Sequence, residues 1–340
     1  MVDSTEKMGD TQKLVVIMDG AYDNCREKWA QLAEKHNVRL VPFNGTCADD
    51  FFDLFDKKNI VAVAHTYPGL KLMDGFEMDK FRACLAGVEI MCHMGAGYDA
   101  LPDPTILKEM GITASNAPKS VMEATANTAL YLTIGAMRNF NALASALRRG
   151  EWLGDVPLAI EPEGKTLGVI GLGGIGALAR DKMQSSLNLG KVQYFNRRRA
   201  DPEIEKNAEY VDFDTLLKTS DIVFLSVPLN RSTYHLIDAE AFSKMKDGVT
   251  IVNTARGSVI DEQALVDALA SGKVMSAGLD VFENEPNVHP ELLKNQNVLL
   301  LPHVGTHCID ARTKMEAEVI DNIDAYLTTG KLASPIAEHV

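Results

Sequence analysis

Gly171-Leu172-Gly173-Gly174-Ile175-Gly176 carries glycine at the first, third and sixth positions of the run. That spacing suits a phosphate-binding turn. Gly171 permits a tight turn out of a strand, Gly173 lets the backbone approach a pyrophosphate, and Gly176 allows a helix to pack closely on the strand. Gly174 and Ile175 open that helix, whose unpaired N–H groups and positive dipole end favour an anion. Twenty residues after Gly176, where a carboxylate would accept from the ribose 2′-hydroxyl of NAD, the chain has Asn196. Arg197, Arg198 and Arg199 follow. An amide does not repel a 2′-phosphate and guanidinium forks bind one well, so NADP(H) is the expected cofactor. The alternative is a solvated basic turn beside loosely bound NAD(H).

Such a loop must stand between a strand and a helix, and the flanking pattern supplies both. Residues 167–170 read as a strand and 177–183 as a helix. Further apolar runs at 192–195, 222–227, 250–253, 276–279 and 298–301 are near-continuous, as in parallel strands buried on both faces. Upstream, strands are expected at 14–18, 38–41, 60–64 and 88–92, separated by helical patterns over 22–36, 49–57 and 78–85. This alternation predicts an α/β protein with doubly wound parallel sheets, and 340 residues suggest two domains. Residues 121–148 read as one long helix with Ala126, Leu130, Ile134 and Met137 as its apolar stripe. Gly154, Pro157, Pro162 and Gly164 break the chain after it. A last helix over 309–327 carries Met315, Val319, Ile323 and Tyr326 on one face.

Three more stretches lie at or just beyond predicted strands: Val252-Asn253-Thr254-Ala255-Arg256-Gly257, Gly278-Leu279-Asp280-Val281-Phe282-Glu283-Asn284-Glu285-Pro286 and Leu301-Pro302-His303-Val304-Gly305. With the glycine loop, in this order and spacing, they resemble the D-isomer-specific 2-hydroxyacid dehydrogenase family over nearly the whole chain. The resemblance implies that Arg256, Glu285 and His303 are the catalytic residues. The chemistry accounts for the types. Reducing a 2-oxoacid puts a hydride on carbon, which the cofactor carries, and a proton on oxygen. An imidazole can give or take that proton near neutrality. A paired Glu steadies the imidazolium, and an Arg holds the substrate carboxylate and polarises the carbonyl. The resemblance also implies substrate contacts from the N–H groups of Ala96 and Gly97 in Met94-Gly95-Ala96-Gly97-Tyr98-Asp99, with Gly95 making the turn. His65, Thr66 and Tyr67 end another strand and are candidates to face the substrate side chain. Further cofactor contacts implied are Val227, Pro228, Leu229, Thr233, Thr254, Asp280 and Gly305, with Thr125 a weaker candidate.

In that family one domain is built from both ends of the chain. The resemblance therefore implies a flavodoxin-like substrate domain at 1–117 plus 307–340, with a Rossmann coenzyme domain inserted at 118–306. The site would lie in the cleft between them, and hinge closure would exclude water. It implies a homodimer through the coenzyme domain, using the long helix and the arm Arg148-Arg149-Gly150-Glu151-Trp152, with Trp152 either a plain interface aromatic, the preferred reading, or an anchor that reaches the partner's site. The expected activity is that of an NADP(H)-dependent 2-oxoacid reductase. Glyoxylate and hydroxypyruvate are natural candidates, and a likeness to D-mandelate dehydrogenases admits bulkier branched or aromatic 2-oxoacids such as benzoylformate. A formate-type dehydrogenase usually lacks the Glu, so Glu285 speaks against it. A nucleotide-sensing corepressor of the same fold keeps all three residues. Against that reading stands the lack of an evident nuclear-import cluster or long disordered tail.

Thirty-four Lys and Arg against 47 Asp and Glu leave a net charge of −13. So acidic a surface repels phosphate backbones and anionic membranes, and neither nucleic acid nor membrane is an expected partner. The total hides Arg197, Arg198, Arg199 and Arg256, which suit small anions. No apolar run reaches the ~18 residues of a membrane span. Residues 1–12 are polar and do not read as a signal peptide. The five cysteines, Cys25, Cys47, Cys84, Cys92 and Cys308, form no CxxC pair. Reduced thiols and a cytoplasmic location are expected. His303 and His307 are four residues apart, but Pro302 and Gly305 interrupt any helix there. No thiol or carboxylate motif completes a zinc site, so no metal is expected.

Overall fold

Apolar and β-branched runs near the start of the chain become neighbouring parallel strands. The computed structural model describes residues 12–18, 21–43, 50, 54, 59–66, 82–99 and 101–336. Within them lie β1 (Leu14–Met18), β2 (Arg39–Phe43), β3 (Ile60–His65), β4 (Ile90–His93) and β5 (Thr113–Ser115). They form a parallel sheet of order β2-β1-β3-β4-β5, the flavodoxin-like order. Every residue of β1, β3 and β4 is buried, as strands covered on both faces require. Edge strand β2 is partly exposed and tolerates Pro42, whose missing N–H would cost a ladder bond in a central strand.

The second set is β6 (Thr166–Ile170), β7 (Lys191–Phe195), β8 (Glu209–Tyr210), β9 (Ile222–Leu225), β10 (Val249–Asn253), β11 (Val274–Leu279) and β12 (Val298–Leu300). They form a seven-stranded parallel sheet, β12-β11-β10-β9-β6-β7-β8. The order runs outward in both directions from the β6/β9 pair. That is the Rossmann arrangement, with its switch point where β6 and β9 end. Alternate residues of β6 feed opposite cores. Ile170 joins one with Phe242 and Leu265, while Leu167 and Val169 join another with Leu132 and Met183.

The chain divides into two compact units, Met1–Val121 with Cys308–Val340, and Met122–His307. The boundaries expected from sequence lie at 117/118 and 306/307. The first unit is closed by helix Ile309–Thr329, whose Met315, Val319 and Ile323 are buried as the periodicity predicts, while Tyr326 is only half-buried. Glu316 is also fully buried on that helix. Its carboxylate accepts from the backbone N–H groups of Asn24 and Cys25 at 2.8 and 3.0 Å and from Trp29 Nε1 at 3.0 Å. A buried charge is tolerable only when so fully hydrogen-bonded. Here it pins the end of the chain to helix Arg26–His36.

The expected long helix over 121–148 is two helices, Met122–Met137 and Phe140–Arg148. The break is Asn139, which turns left-handed at φ 51° and donates its side-chain amide to Pro157 O at 3.2 Å. Asn is the side chain that most readily takes this conformation, and apolar periodicity does not register it. The deepest apolar residues of the first helix are Ala126, Ala129, Leu132, Ala136 and Met137, whereas Leu130 and Ile134 are half-buried. Close approach to the sheet selects the small ones. A Cβ on Gly278 of β11 would lie 2.7 Å from Leu132 O. The helices expected at 49–57 and 78–85 fall mostly outside the described residues, and the latter is helical at 82–84.

Candidate active site

The glycine loop leaves β6 and opens helix Gly174–Leu187. Gly171 has φ +100°, and a Cβ there would lie 2.5 Å from Ser226 O. A Cβ on Gly176 would lie 2.0 Å from Gly171 O, which is the close helix–strand packing expected of that position. Gly173 caps the helix through its backbone with no side-chain hydrogen bond, and a Cβ on it would meet no protein atom within 4 Å. Gly174 is exposed and Ile175 half-buried. This is a backbone cradle at a helix N-terminus, and it fits a pyrophosphate.

Asn196 does not point its amide outward. Its Oδ1 accepts Leu172 N–H at 2.7 Å and so fixes the glycine loop. Arg197 and Arg198 are exposed and form no hydrogen bond or ion pair with any described residue. Arg199 differs, for it is engaged by Glu205. Beyond β9, Val227 and Leu229 are half-buried and Pro228 exposed. Thr233 spends its hydroxyl within this loop, donating to Pro228 O at 2.6 Å and accepting from Asn230 N at 2.9 Å. Thr254 Oγ1, after β10, is buried and has no hydrogen-bond partner among the described residues. An orphaned buried hydroxyl at a strand end suits a polar cofactor group.

Three strand ends build the remaining geometry. After β10, buried Asn253 holds the turn, its Nδ2 donating to Arg256 O at 2.9 Å and its Oδ1 accepting from Ala255 N at 2.9 Å. Arg256 Nη1 donates to Ala255 O at 2.8 Å. Gly257 packs directly on the segment after β11, where a Cβ would lie 1.8 Å from Phe282 C. On that segment Glu285 is fixed by Phe282 N–H, which donates to Oε1 at 3.0 Å. Its Oε2 lies 2.9 Å from His303 Nδ1, with His303 one-third exposed and Glu285 mostly buried. A carboxylate only accepts, so Nδ1 carries the proton of this contact and Nε2 is left to face elsewhere.

His303 follows β12 in a left-handed turn, φ +53°. Asp280 holds it there. The Asp280 carbonyl accepts His303 N–H at 2.7 Å, and its carboxylate accepts Val304 N–H and Gly305 N–H at 2.7 and 2.9 Å. Burial pushes the Asp280 carboxyl up, against those two N–H donors. Gly305 and Thr125 are neighbours, with Thr125 Oγ1 3.5 Å from where a Gly305 Cβ would stand.

In the other unit, Ala117 N donates to Gly95 O at 2.8 Å and Asn116 Nδ2 to Ala96 O at 2.7 Å. The N–H groups of Ala96 and Gly97 donate to no described residue. His65 and Thr66 are buried, so neither presents a side chain as expected. His65 Nδ1 sits 3.2 Å from His93 Nδ1, and burial with that neighbour holds His65 well below the usual imidazole range. Tyr67 lies outside the described residues. No group of three or more His, Cys, Asp or Glu is placed to hold a metal among the described residues.

Sequence reasoning missed the supports: Asn253, Gly257 and the turn-holding role of Asp280. It also missed a second imidazole–carboxylate pair, His235 Nε2 to Glu283 Oε1 at 2.6 Å, which ties the 228–235 loop to the segment bearing Glu285. The signal for that pair was the acidic run around Glu285, but its partner is 48 residues away.

Residues 130–305 match the family model described as D-isomer specific 2-hydroxyacid dehydrogenase, NAD binding domain. The chain is 39% identical over 329 residues to 4-methyl-2-oxopentanoate reductase A of Aspergillus oryzae, covering 95% of this chain and 97% of the relative. It superposes on a glyoxylate reductase from Paecilomyes thermophila with a TM-score of 0.90 at 38% identity, covering 97% of this chain and 100% of that one. It superposes on the holo form of Rhodotorula graminis D-mandelate dehydrogenase with a TM-score of 0.86 at 32% identity, covering 96% and 98%.

Proposed function

The chain belongs to the D-isomer-specific 2-hydroxyacid dehydrogenases, and we propose that it works as an NADP(H)-dependent 2-oxoacid reductase. The observation that carries this reading is the His303–Glu285 pair at 2.9 Å, fixed from behind by Phe282 N–H. Bound NADPH supplies the hydride. The chain's own residues do the rest. Arg256 takes the substrate carboxylate, leaving the 2-carbonyl to His303 Nε2, and Ala96 and Gly97 are the reading's further substrate-binding residues. His303 donates its Nε2 proton to the carbonyl oxygen as hydride adds to carbon, and it takes that proton back in the oxidative direction. Glu285 keeps Nδ1–H oriented and offsets the imidazolium charge until the proton leaves.

For the cofactor, Gly171, Gly173, Gly174, Ile175 and Gly176 cradle the pyrophosphate, and Arg197 and Arg198 take the 2′-phosphate. Val227, Pro228, Thr233, Thr254, Asp280 and Gly305 line the rest of the dinucleotide site. Asn196 serves by holding Leu172, since its side-chain oxygen is engaged there. Relatives in the family include a glyoxylate reductase, a 4-methyl-2-oxopentanoate reductase and a D-mandelate dehydrogenase. We place this chain among glyoxylate, hydroxypyruvate and branched or aromatic 2-oxoacids. A homodimer through the coenzyme unit is part of the reading. Exposed Tyr131, Phe140, Leu147, Trp152, Leu153 and Leu158 cluster in sequence on its first helices and arm, and Trp152 is 82% exposed. The expected setting is the cytoplasm, and no described helix is long and apolar enough to cross a membrane.

The test is a panel of glyoxylate, hydroxypyruvate, 4-methyl-2-oxopentanoate and benzoylformate, each run with NADPH and with NADH. Turnover of at least one acid, faster with NADPH, is expected. Failure of all four with either cofactor rejects the reading.

A further inference from the structure

We infer that Tyr194, Arg199 and Glu205 are positioning residues for the cofactor 2′-phosphate, holding the turn 196–200 in one shape so that Arg197 and Arg198 are presented together. The inference rests on the reading that NADP(H) is preferred. The three consecutive arginines are not equivalent. Arg199 forks onto Glu205, Nε to Oε2 at 2.7 Å and Nη2 to Oε1 at 2.6 Å. Tyr194 OH donates to Glu205 Oε2 at 2.6 Å and accepts Ala200 N–H at 3.1 Å. At the other end of the turn, Tyr210 OH donates to Asn196 O at 3.1 Å, and Asn196 Oδ1 accepts Leu172 N–H. Asn196, Arg199 and Ala200 are therefore all pinned, and the two residues between are the exposed Arg197 and Arg198.

The anchor is itself anchored. Arg180 is fully buried on helix Gly174–Leu187, and its Nη1 and Nη2 donate to Glu205 O and Ile204 O, each at 2.8 Å. The turn is thus tied to the helix that the glycine loop opens, which sets both phosphate-binding parts against one frame. Arg199 and Glu205 add shape rather than charge. Paired, they cancel. Glu205 relieves repulsion among three adjacent guanidiniums, and Arg199 masks a carboxylate that would repel a phosphate. A turn already ordered loses less freedom when ligand binds, so affinity for the phosphate rises without a new contact.

KM for NADPH and for NADH, measured at saturating 2-oxoacid, tests this in four proteins: wild type, Glu205→Gln, Tyr194→Phe, and Arg197→Ala with Arg198→Ala. Glu205→Gln and Tyr194→Phe should each raise KM for NADPH about five- to tenfold and leave KM for NADH within about twofold, the scale of lost preorganisation. The sign is informative, because Glu205→Gln makes the region one charge more positive and a charge effect alone would lower KM for NADPH. Tyr194→Phe changes no charge and stands alone if Glu205→Gln does not fold. An unchanged or lowered KM for NADPH in these variants, or an equal rise for NADH, overturns the inference. Preference lost in the double arginine variant but intact in the other two overturns it alone. A wild type that does not favour NADPH, or a double arginine variant that keeps the preference, overturns the cofactor reading and the inference with it.

Discussion

A methyl group on Gly257 would push apart the two segments that carry Arg256 and Glu285. The added Cβ would stand 1.8 Å from Phe282 C, 2.1 Å from Phe282 O and 2.3 Å from Glu283 N. All three are backbone atoms, so no side chain can swing away. To reach a tight but tolerable 3.0–3.4 Å, the segments must separate by about 1.2–1.6 Å, and overpacking of this kind costs about 1–3 kcal/mol of stability. A displacement of about 1 Å at the chemistry can lower the rate about 100-fold. Glu285 is bonded to Phe282 N–H, so it moves with that segment and carries the His303 contact with it. Gly257→Ala should therefore lose about 100-fold in kcat/KM for the 2-oxoacid. Near-normal turnover would refute the account of how these segments set the site's spacing.

Arg256→Ala should lower kcat/KM for the 2-oxoacid about 10- to 150-fold, the worth of a hydrogen bond to a charged group, with NADPH affinity retained; an unchanged value rejects its carboxylate role. Asp280→Asn replaces one acceptor with a donor facing the N–H of Val304 or Gly305, and should cost about 1–3 kcal/mol in chemical denaturation while lowering kcat. Glu205 supplies a pH test. Arg199 first, and then Tyr194, hold its carboxyl down to about 2 from an ordinary 4.5. A depressed folded-state pKa gives stability that is complete above the ordinary carboxylate range and is lost as pH falls through about 2. Between pH 4.5 and 2, wild-type Tm should therefore fall more steeply than that of Glu205→Gln.

The sheets were legible because their signal is local. Buried parallel strands read as near-continuous apolar runs, and β1 and β9 are such runs. The glycine loop was legible because each glycine answers a separate steric demand within six residues. What escaped depends on partners distant in sequence. Glu316 is one of several charged residues on an amphipathic helix, and its donors lie almost 300 residues earlier. Gly257 looks like any glycine after a strand until the neighbouring strand's segment lies against it. Arg199 is indistinguishable from Arg197 and Arg198 in sequence, and only Glu205 separates them. Asn139 broke a helix because its backbone turned left-handed with a carbonyl to receive its amide. Asp280 would pass for a cofactor ligand alone, yet its carboxylate holds the turn that aims His303.

The central claim is that His303, oriented by Glu285, moves the proton of a 2-oxoacid reduction. Steady-state oxidation of NADPH by the best acid of the panel, compared between wild type and His303→Ala, tests it most directly. The account predicts a loss of about 10²- to 10⁴-fold in kcat with NADPH affinity preserved, the usual contribution of a positioned general acid. A variant that reduces the acid at the wild-type rate would contradict it.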